Sequence, residues 1–139
     1  MVEEEKNQLR LLDFWFSDIS VKFDKTKPSS KEEGKKLKQS IRRDIIKIDN
    51  NTAIVKLLFT IEGDSDSPVF VNVGLCGKFE CADWEKDEIS NILIHDNATT
   101  ILFPYLRHAV SDVTTLVGLP PYVLPIVNVA KAFKNQQTK

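Results

Sequence analysis

Nine consecutive apolar residues, Leu119-Pro120-Pro121-Tyr122-Val123-Leu124-Pro125-Ile126-Val127, include three prolines. They cannot form a core strand, because a proline has no N–H for a ladder. They are also too apolar for an ordinary solvated loop, so they must lie against an apolar surface or present one. The stretch before them has helical periodicity. Leu102, Phe103, Leu106, Ala109, Val110, Val113 and Val117 recur at three- and four-residue steps, the pattern of a helix with one apolar face. Pro104 falls near its first turns, where a missing N–H costs little or kinks the helix. Gly118 is the residue expected just past its C-terminus.

A chain of 139 residues fits one domain, taken here as residues 1–139. Lys and Arg number 19 against 20 Asp and Glu. That balance gives no net field to draw in nucleic acid or an anionic membrane. No apolar run approaches the ~18 residues of a membrane helix. The start, Met1-Val2-Glu3-Glu4-Glu5-Lys6, lacks an apolar segment and does not read as a secretion signal. Cys76 and Cys81 fall in one strand, on opposite faces and ~16 Å apart, which is beyond disulfide reach. They read as reduced, buried thiols of a cytoplasmic protein.

The first half alternates as strands do. In the first strand region, Leu9 to Phe23, Leu12, Phe14 and Phe16 share one parity while Ile19, Val21 and Phe23 share the other. A period of two cannot change parity without an extra residue, so a β-bulge is expected near Ser17 and Asp18. A polar, Lys-rich loop follows, from Asp24 to Lys36. Leu37 to Ile48 reads as the second strand, with Leu37, Ile41 and Ile45 in phase, and Asn50-Asn51 as a hairpin turn. Thr52 to Glu62 and Val69 to Cys81 are the third and fourth strands, joined by a turn over Gly63 to Pro68. A short helix over Trp84 to His95, with Ile89, Ile92 and Leu93 as its apolar face, should break at Asp96-Asn97. Asn97 should cap the long helix, and Asn128 a short final helix carrying Val129, Ala132 and Phe133. Strands followed by helices give an α+β fold: a four-stranded antiparallel meander with a long helix and a short C-terminal helix on one face. Several strands are apolar on both faces, with Leu9, Leu11 and Trp15 opposing Leu12, Phe14 and Phe16. One helical layer covers one face, so a second copy of the chain is the expected cover for the other.

Motifs for chemistry are sparse. His95 and His108 lie in no metal-binding spacing, and there is no phosphate-cradling glycine loop and no G-x-S-x-G. Asp64-Ser65-Asp66 lacks the glycine and glutamate of a calcium loop and reads as a turn. His108 reads as solvent-facing. No metal, cofactor or catalytic residue is expected.

Three blocks then carry a family likeness: Ser17-Asp18-Ile19-Ser20 followed by Val21-Lys22-Phe23, the strand Val69 to Phe79 with Gly77 near its close, and Ile101-Leu102-Phe103-Pro104-Tyr105-Leu106-Arg107 with Gly118 and Pro125-Ile126-Val127-Asn128. In this order they resemble the SecB family of export chaperones, over most of the chain. The family shows a K-D-I-S-F-E string, an ILFPYAR-like helix start, and a proline-rich loop ending in Pro-Val-Asn. The resemblance implies a homotetramer built as a dimer of dimers. Such tetramers hold unfolded polypeptide clients in apolar grooves and pass them to the SecA motor. It also implies that the fourth strand, through Val71, Val73 and Leu75, meets another subunit. Asp18 matches one position of the family's acidic SecA-docking surface. Lys22 and Asn72 stand where glutamates are usual, and a lysine there repels what a carboxylate would attract. Weak or absent SecA binding is therefore expected. SecB-like chaperones of toxin–antitoxin systems are the alternative within the family.

Holding an unfolded chain needs apolar subsites and no cofactor. Candidate client-binding residues are Leu37 and Ile41 on the second strand, Tyr122, Leu124 and Ile126 on the proline-rich stretch, and Phe133 on the last helix. Core packing is the plain alternative for each. A rigid proline wall suits the task because it loses little entropy on binding. The rival from another class is a small ligand-binding domain with one closed pocket and convergent polar groups.

Overall fold

The computed structural model describes residues 8–24, 38–63, 69–124 and 133. Four strands come first: β1 (Arg10–Phe23), β2 (Lys38–Asp49), β3 (Thr52–Glu62) and β4 (Val69–Glu80). A short helix α1 (Glu88–Ile92) passes through a π turn (Leu93–Asn97) directly into the long helix α2 (Ala98–Leu116). The loop after Asp24, the turn from Asp64 to Pro68 and the final helix expected after Asn128 lie outside the described residues.

The sheet is antiparallel throughout, in the order β1-β4-β3-β2. The expected meander therefore holds for β2, β3 and β4, while β1 lies beside β4 on the outside. The β2–β3 hairpin turns at Asn50-Asn51, as expected, and the Asn51 N–H donates to Asp49 Oδ1 at 2.8 Å. Trp84 is fully buried against this turn, and its indole N–H donates to the Asp49 carbonyl at 3.1 Å.

Cross-strand partners share a face, so the register sorts every side chain. Facing α2 are Ala53, Val55, Leu57, Phe59 and Ile61 of β3, Val71, Val73, Leu75 and Phe79 of β4, and Ile41, Arg43 and Ile45 of β2. Leu102, Phe103, Leu106, Val110 and Val113 of α2 close over the β3–β4 part of this layer. The helix stripe expected from the sequence is thus the buried one from Leu102 to Val113, with Ala109 packed at its margin, while Val117 is only partly buried and falls just past the last helical residue. The register of β1 slips between Phe16 and Asp18, the expected bulge, and this keeps Phe16 and Ile19 on the helix side. A second slip between Leu11 and Asp13 was not foreseen. It takes Leu12 out of phase with Phe14 and Phe16, and lets Leu11 and Leu9 pack against the core, not the back of the sheet.

The short helix departs from expectation. Ile89 and Ile92 are 57% and 53% exposed, and Ser90 and Ile94 are the buried residues. The helix does not break at Asp96-Asn97. Asn97 has helical backbone angles and makes no side-chain cap; the capping carboxylate is that of Asp87, which accepts from the Ser90 N–H. The π turn adds a residue that a strict 3.6-residue period does not count.

Candidate functional site

Helix α2 ends in a turn that aims the proline-rich stretch back across the sheet. Gly118 takes φ 94°, a left-handed angle that favours glycine. The Gly118 N–H donates to the Thr115 carbonyl and the Leu119 N–H to the Thr114 carbonyl, both at 3.0 Å. This paired closure satisfies the last carbonyls of the helix. Three polar contacts then strap the following residues down. The Tyr122 N–H donates to Thr114 Oγ1 at 3.0 Å, Arg107 Nε donates to the Leu124 carbonyl at 2.9 Å, and the Tyr122 hydroxyl donates to Gln39 Oε1 on β2. Prolines cannot supply these bonds, so side chains of α2 and β2 hold the wall instead.

Between this wall and the sheet lies an apolar cavity of about 260 Å³. Ile61, Val69 and Val71 form its floor; Leu119, Pro120, Pro121 and Tyr122 form its wall, with Thr114 behind. The Thr114 hydroxyl donates within its own helix and accepts from Tyr122. The cavity therefore offers a visitor almost nothing but hydrocarbon. The Tyr122 ring stands 5.9 Å from that of Phe59, and burial pushes its phenol above the ordinary tyrosine range. A wider hollow of about 540 Å³ at the sheet end is lined by Lys22, Asp24 and Glu62 as well as Phe23, Val69 and Phe70. Its mixed polarity makes it a weaker match for an apolar side chain.

The expected client residues separate under this geometry. Tyr122 is half-buried and lines the cavity, and Ile41 flanks the same region as the cross-strand partner of Phe59. Leu124 and Phe133 are only 4% and 1% exposed, so they are core residues, not contacts for a visiting chain. Leu37 and Ile126 lie outside the described residues. The sequence reading missed two residues. Gln39 anchors Tyr122 from β2. Arg43 is buried among apolar neighbours, donating to the His95 carbonyl at 2.7 Å with its guanidinium 5.1 Å from the centre of the Phe133 ring.

Val71, Val73 and Leu75 require correction as an interface. All three have no exposed surface within a single chain, because α2 and its neighbours already cover them. They present no outer surface of the single chain for a second subunit to cover. On the same face, β1 reaches beyond the helix. Phe14, Phe16 and Ile19 remain 38%, 37% and 54% exposed, and Phe14 packs 4.8 Å from the half-exposed ring of Tyr105 on α2. This flank, not the centre of β4, is the exposed apolar surface beside the helix.

Asp18 lies on the back of the sheet, and its carboxylate is engaged. It sits 3.2 Å from Lys56 Nζ and accepts from the Ser17 hydroxyl at 3.0 Å. The hydrogen bond from Lys56, helped by Ser17, holds this carboxyl below the usual carboxylate range. The contact reaches from β1 to β3 over Gly74 of β4, where a Cβ would meet Asp18 Oδ2 at 2.8 Å. Lys22 and Asn72 share this back face, two and one cross-strand rows along.

Among the described residues, no three His, Cys, Asp or Glu side chains come together as a metal would need. His108 is exposed beside Asp112, one turn along α2. Cys76 and Cys81 are free and buried, and no described helix is long and apolar enough to cross a membrane.

Comparisons with known proteins agree with one another. Residues 2–139 match the family model described as preprotein translocase subunit SecB. The protein-export protein SecB of Psychrobacter cryohalolentis is 26% identical over 97% of this chain and 91% of its own length. A 36% match to an uncharacterized Methanocaldococcus jannaschii protein and a 30% match to Anaplasma phagocytophilum SecB span 44% and 46% of those relatives' own lengths. The fold is similar, at a TM-score of 0.62 and 17% identity, to the Mycobacterium tuberculosis Rv1957 SecB-like chaperone, solved with a ChAD peptide from the HigA1 antitoxin. That alignment covers 91% of this chain and 95% of the other. With the family model spanning all but the first residue, the chain belongs to the SecB family.

Proposed function

We propose that the protein is an ATP-independent holdase that binds unfolded polypeptides by their large apolar side chains. The observation that carries this is the cavity under the proline-rich wall: apolar on all sides, pre-ordered by prolines and strapped in place. A cavity of about 260 Å³ takes one aromatic or large aliphatic side chain. Burying such a side chain is worth ~1.5–3 kcal/mol before ordering costs, so useful affinity needs several sites acting together. A homotetramer, a dimer of dimers, supplies them. The flank of Phe14, Phe16, Ile19 and Tyr105 supports that assembly, in place of Val71, Val73 and Leu75. The rival, a ligand carrier or enzyme, needs convergent polar groups in its pocket, and Thr114 and Tyr122 have theirs turned to other partners. A cytoplasmic location fits this role.

Within the family, the reading as a toxin–antitoxin chaperone without SecA coupling has a specific support. Asp18 is neutralised by Lys56, and Lys22 and Asn72 occupy the same back face. A cationic partner surface gains little from such a face.

The decisive experiment is light scattering of a reduced, unfolded precursor with stoichiometric protein and no nucleotide. Suppressed aggregation supports the holdase; an unchanged aggregation rate removes it. Titration calorimetry with a SecA from the same source should give no submicromolar binding, and salt-sensitive submicromolar binding would restore the export role.

A further inference from the structure

Tyr122 does two things at once. Its ring closes one side of the apolar cavity over Ile61 and Val71, and it also packs on Phe59. Across the sheet the next residues are Gln39, opposite Ile61, and Ile41, opposite Phe59. The ring thus stands between the cavity and the half-buried Ile41 surface on β2. Its hydroxyl is tied to Gln39, whose side chain is exposed. With Tyr122 in this position the two apolar surfaces are separate. A ring turned away from Gln39 would no longer stand between them.

We propose that Gln39 and Tyr122 form a latched gate that sets how long an apolar stretch of client the groove accepts. Latched, the site takes one large side chain. Released, it takes a second apolar side chain over Phe59 and Ile41. The proposal rests on the cavity being the client site. Gln39 is a positioning residue: it acts through the Tyr122 ring. The backbone bond from the Tyr122 N–H to Thr114 holds the chain in place while the ring moves, so opening needs no loss of the wall. An exposed hydrogen bond contributes little net stability, which suits a latch that a client must open.

Two fluorescein-labelled peptides test this, each binding measured by anisotropy. One carries several Trp residues in a Gly-Ser background, spaced so that several sites of the assembly are filled at once; the other carries the same Trp residues, each with a Leu three residues on, so the two offer one and two anchors per site. Gln39→Leu removes the acceptor. It should strengthen binding of the two-anchor peptide by roughly three- to tenfold, the range of one modest hydrogen bond, and shift the one-anchor peptide by less than twofold. Gln39→Glu keeps an acceptor for the hydroxyl and should restore the parental ratio between the peptides. If Gln39→Leu changes both peptides alike or neither, or if Gln39→Glu behaves as Gln39→Leu does, the gate is wrong while the cavity stands as the site. If the one-anchor peptide fails to bind the parent protein at all, the cavity is not the client site and the gate falls with it.

Discussion

β3 and β1 place apolar side chains on the same face of the same sheet, with opposite outcomes. Leu57 and Phe59 of β3 are at most 1% exposed, while Phe16 and Ile19 of β1 are 37% and 54% exposed. Their sequences alternate in the same way, so hydrophobic pattern alone does not separate them. The difference is the cover. α2 runs over β3 and β4 and stops short of β1, meeting it mainly where Tyr105 touches Phe14. Apolar periodicity says that a face will be covered, and only the reach of the neighbouring helix says by what.

Charge at the two places should break this comparison most sharply. Val73→Asp puts a carboxylate under α2 at a position with no exposed surface. It should unfold the chain outright, seen as loss of the far-UV signal, because an unpaired buried charge costs several kcal/mol. Folded, smaller oligomers from this variant would mean that β4 is an interface after all. Next in size, Phe59→Ala should lower stability by about 3–5 kcal/mol in urea titration. Phe16→Asp should leave the circular dichroism intact and yield smaller species by multi-angle light scattering. A Phe16→Asp protein with the parental mass would show that the β1 flank is not where copies meet. Tyr122→Ser, which removes the ring from the cavity wall without touching the buried Leu124, should weaken binding of the one-anchor peptide several-fold and leave the chain folded by circular dichroism.

The smallest expected effect is electrostatic. Asp18 has its pKa lowered by the Lys56 and Ser17 hydrogen bonds. A lowered folded-state pKa means that its contribution is present at neutral pH and lost only as acid protonates the carboxylate, below the ordinary aspartate range. Lys56→Met should move the Asp18 titration, followed by carbon-detected NMR, back up toward that range. An unmoved titration would show that Lys56 does not hold the carboxylate in solution.

Much of the fold was legible in the sequence for local reasons. Four alternating segments, the parity change at Ser17 and the stripe from Leu102 to Val113 each express a period within one element. The second bulge of β1 was not legible, because Leu11 and Leu12 are both apolar and either could face inward. The buried Arg43 was illegible for a different reason. It donates to the carbonyl of His95, 52 residues away, and no pattern along β2 announces that partner. Gln39 and Tyr122 are 83 residues apart, so the tie between groove wall and sheet appears only in three dimensions. The proline-rich stretch itself was readable as a surface, because no regular element can contain it.

The π turn gives this continuous run of helix a discrete setting. One residue between Leu93 and Asn97 is surplus to an ordinary helix. Removing Asp96 or Asn97 would let a uniform helix run from Glu88 to Leu116. Everything before the deletion would then rotate by ~100° about the axis. Ser90 and Ile94 would leave the interior together, and the Trp84 contact with His95 would be lost with them. Chain length at this point therefore acts as a dial with fixed stops, and relatives that differ by one residue here should differ by a whole facet of α1, not by a gradual drift.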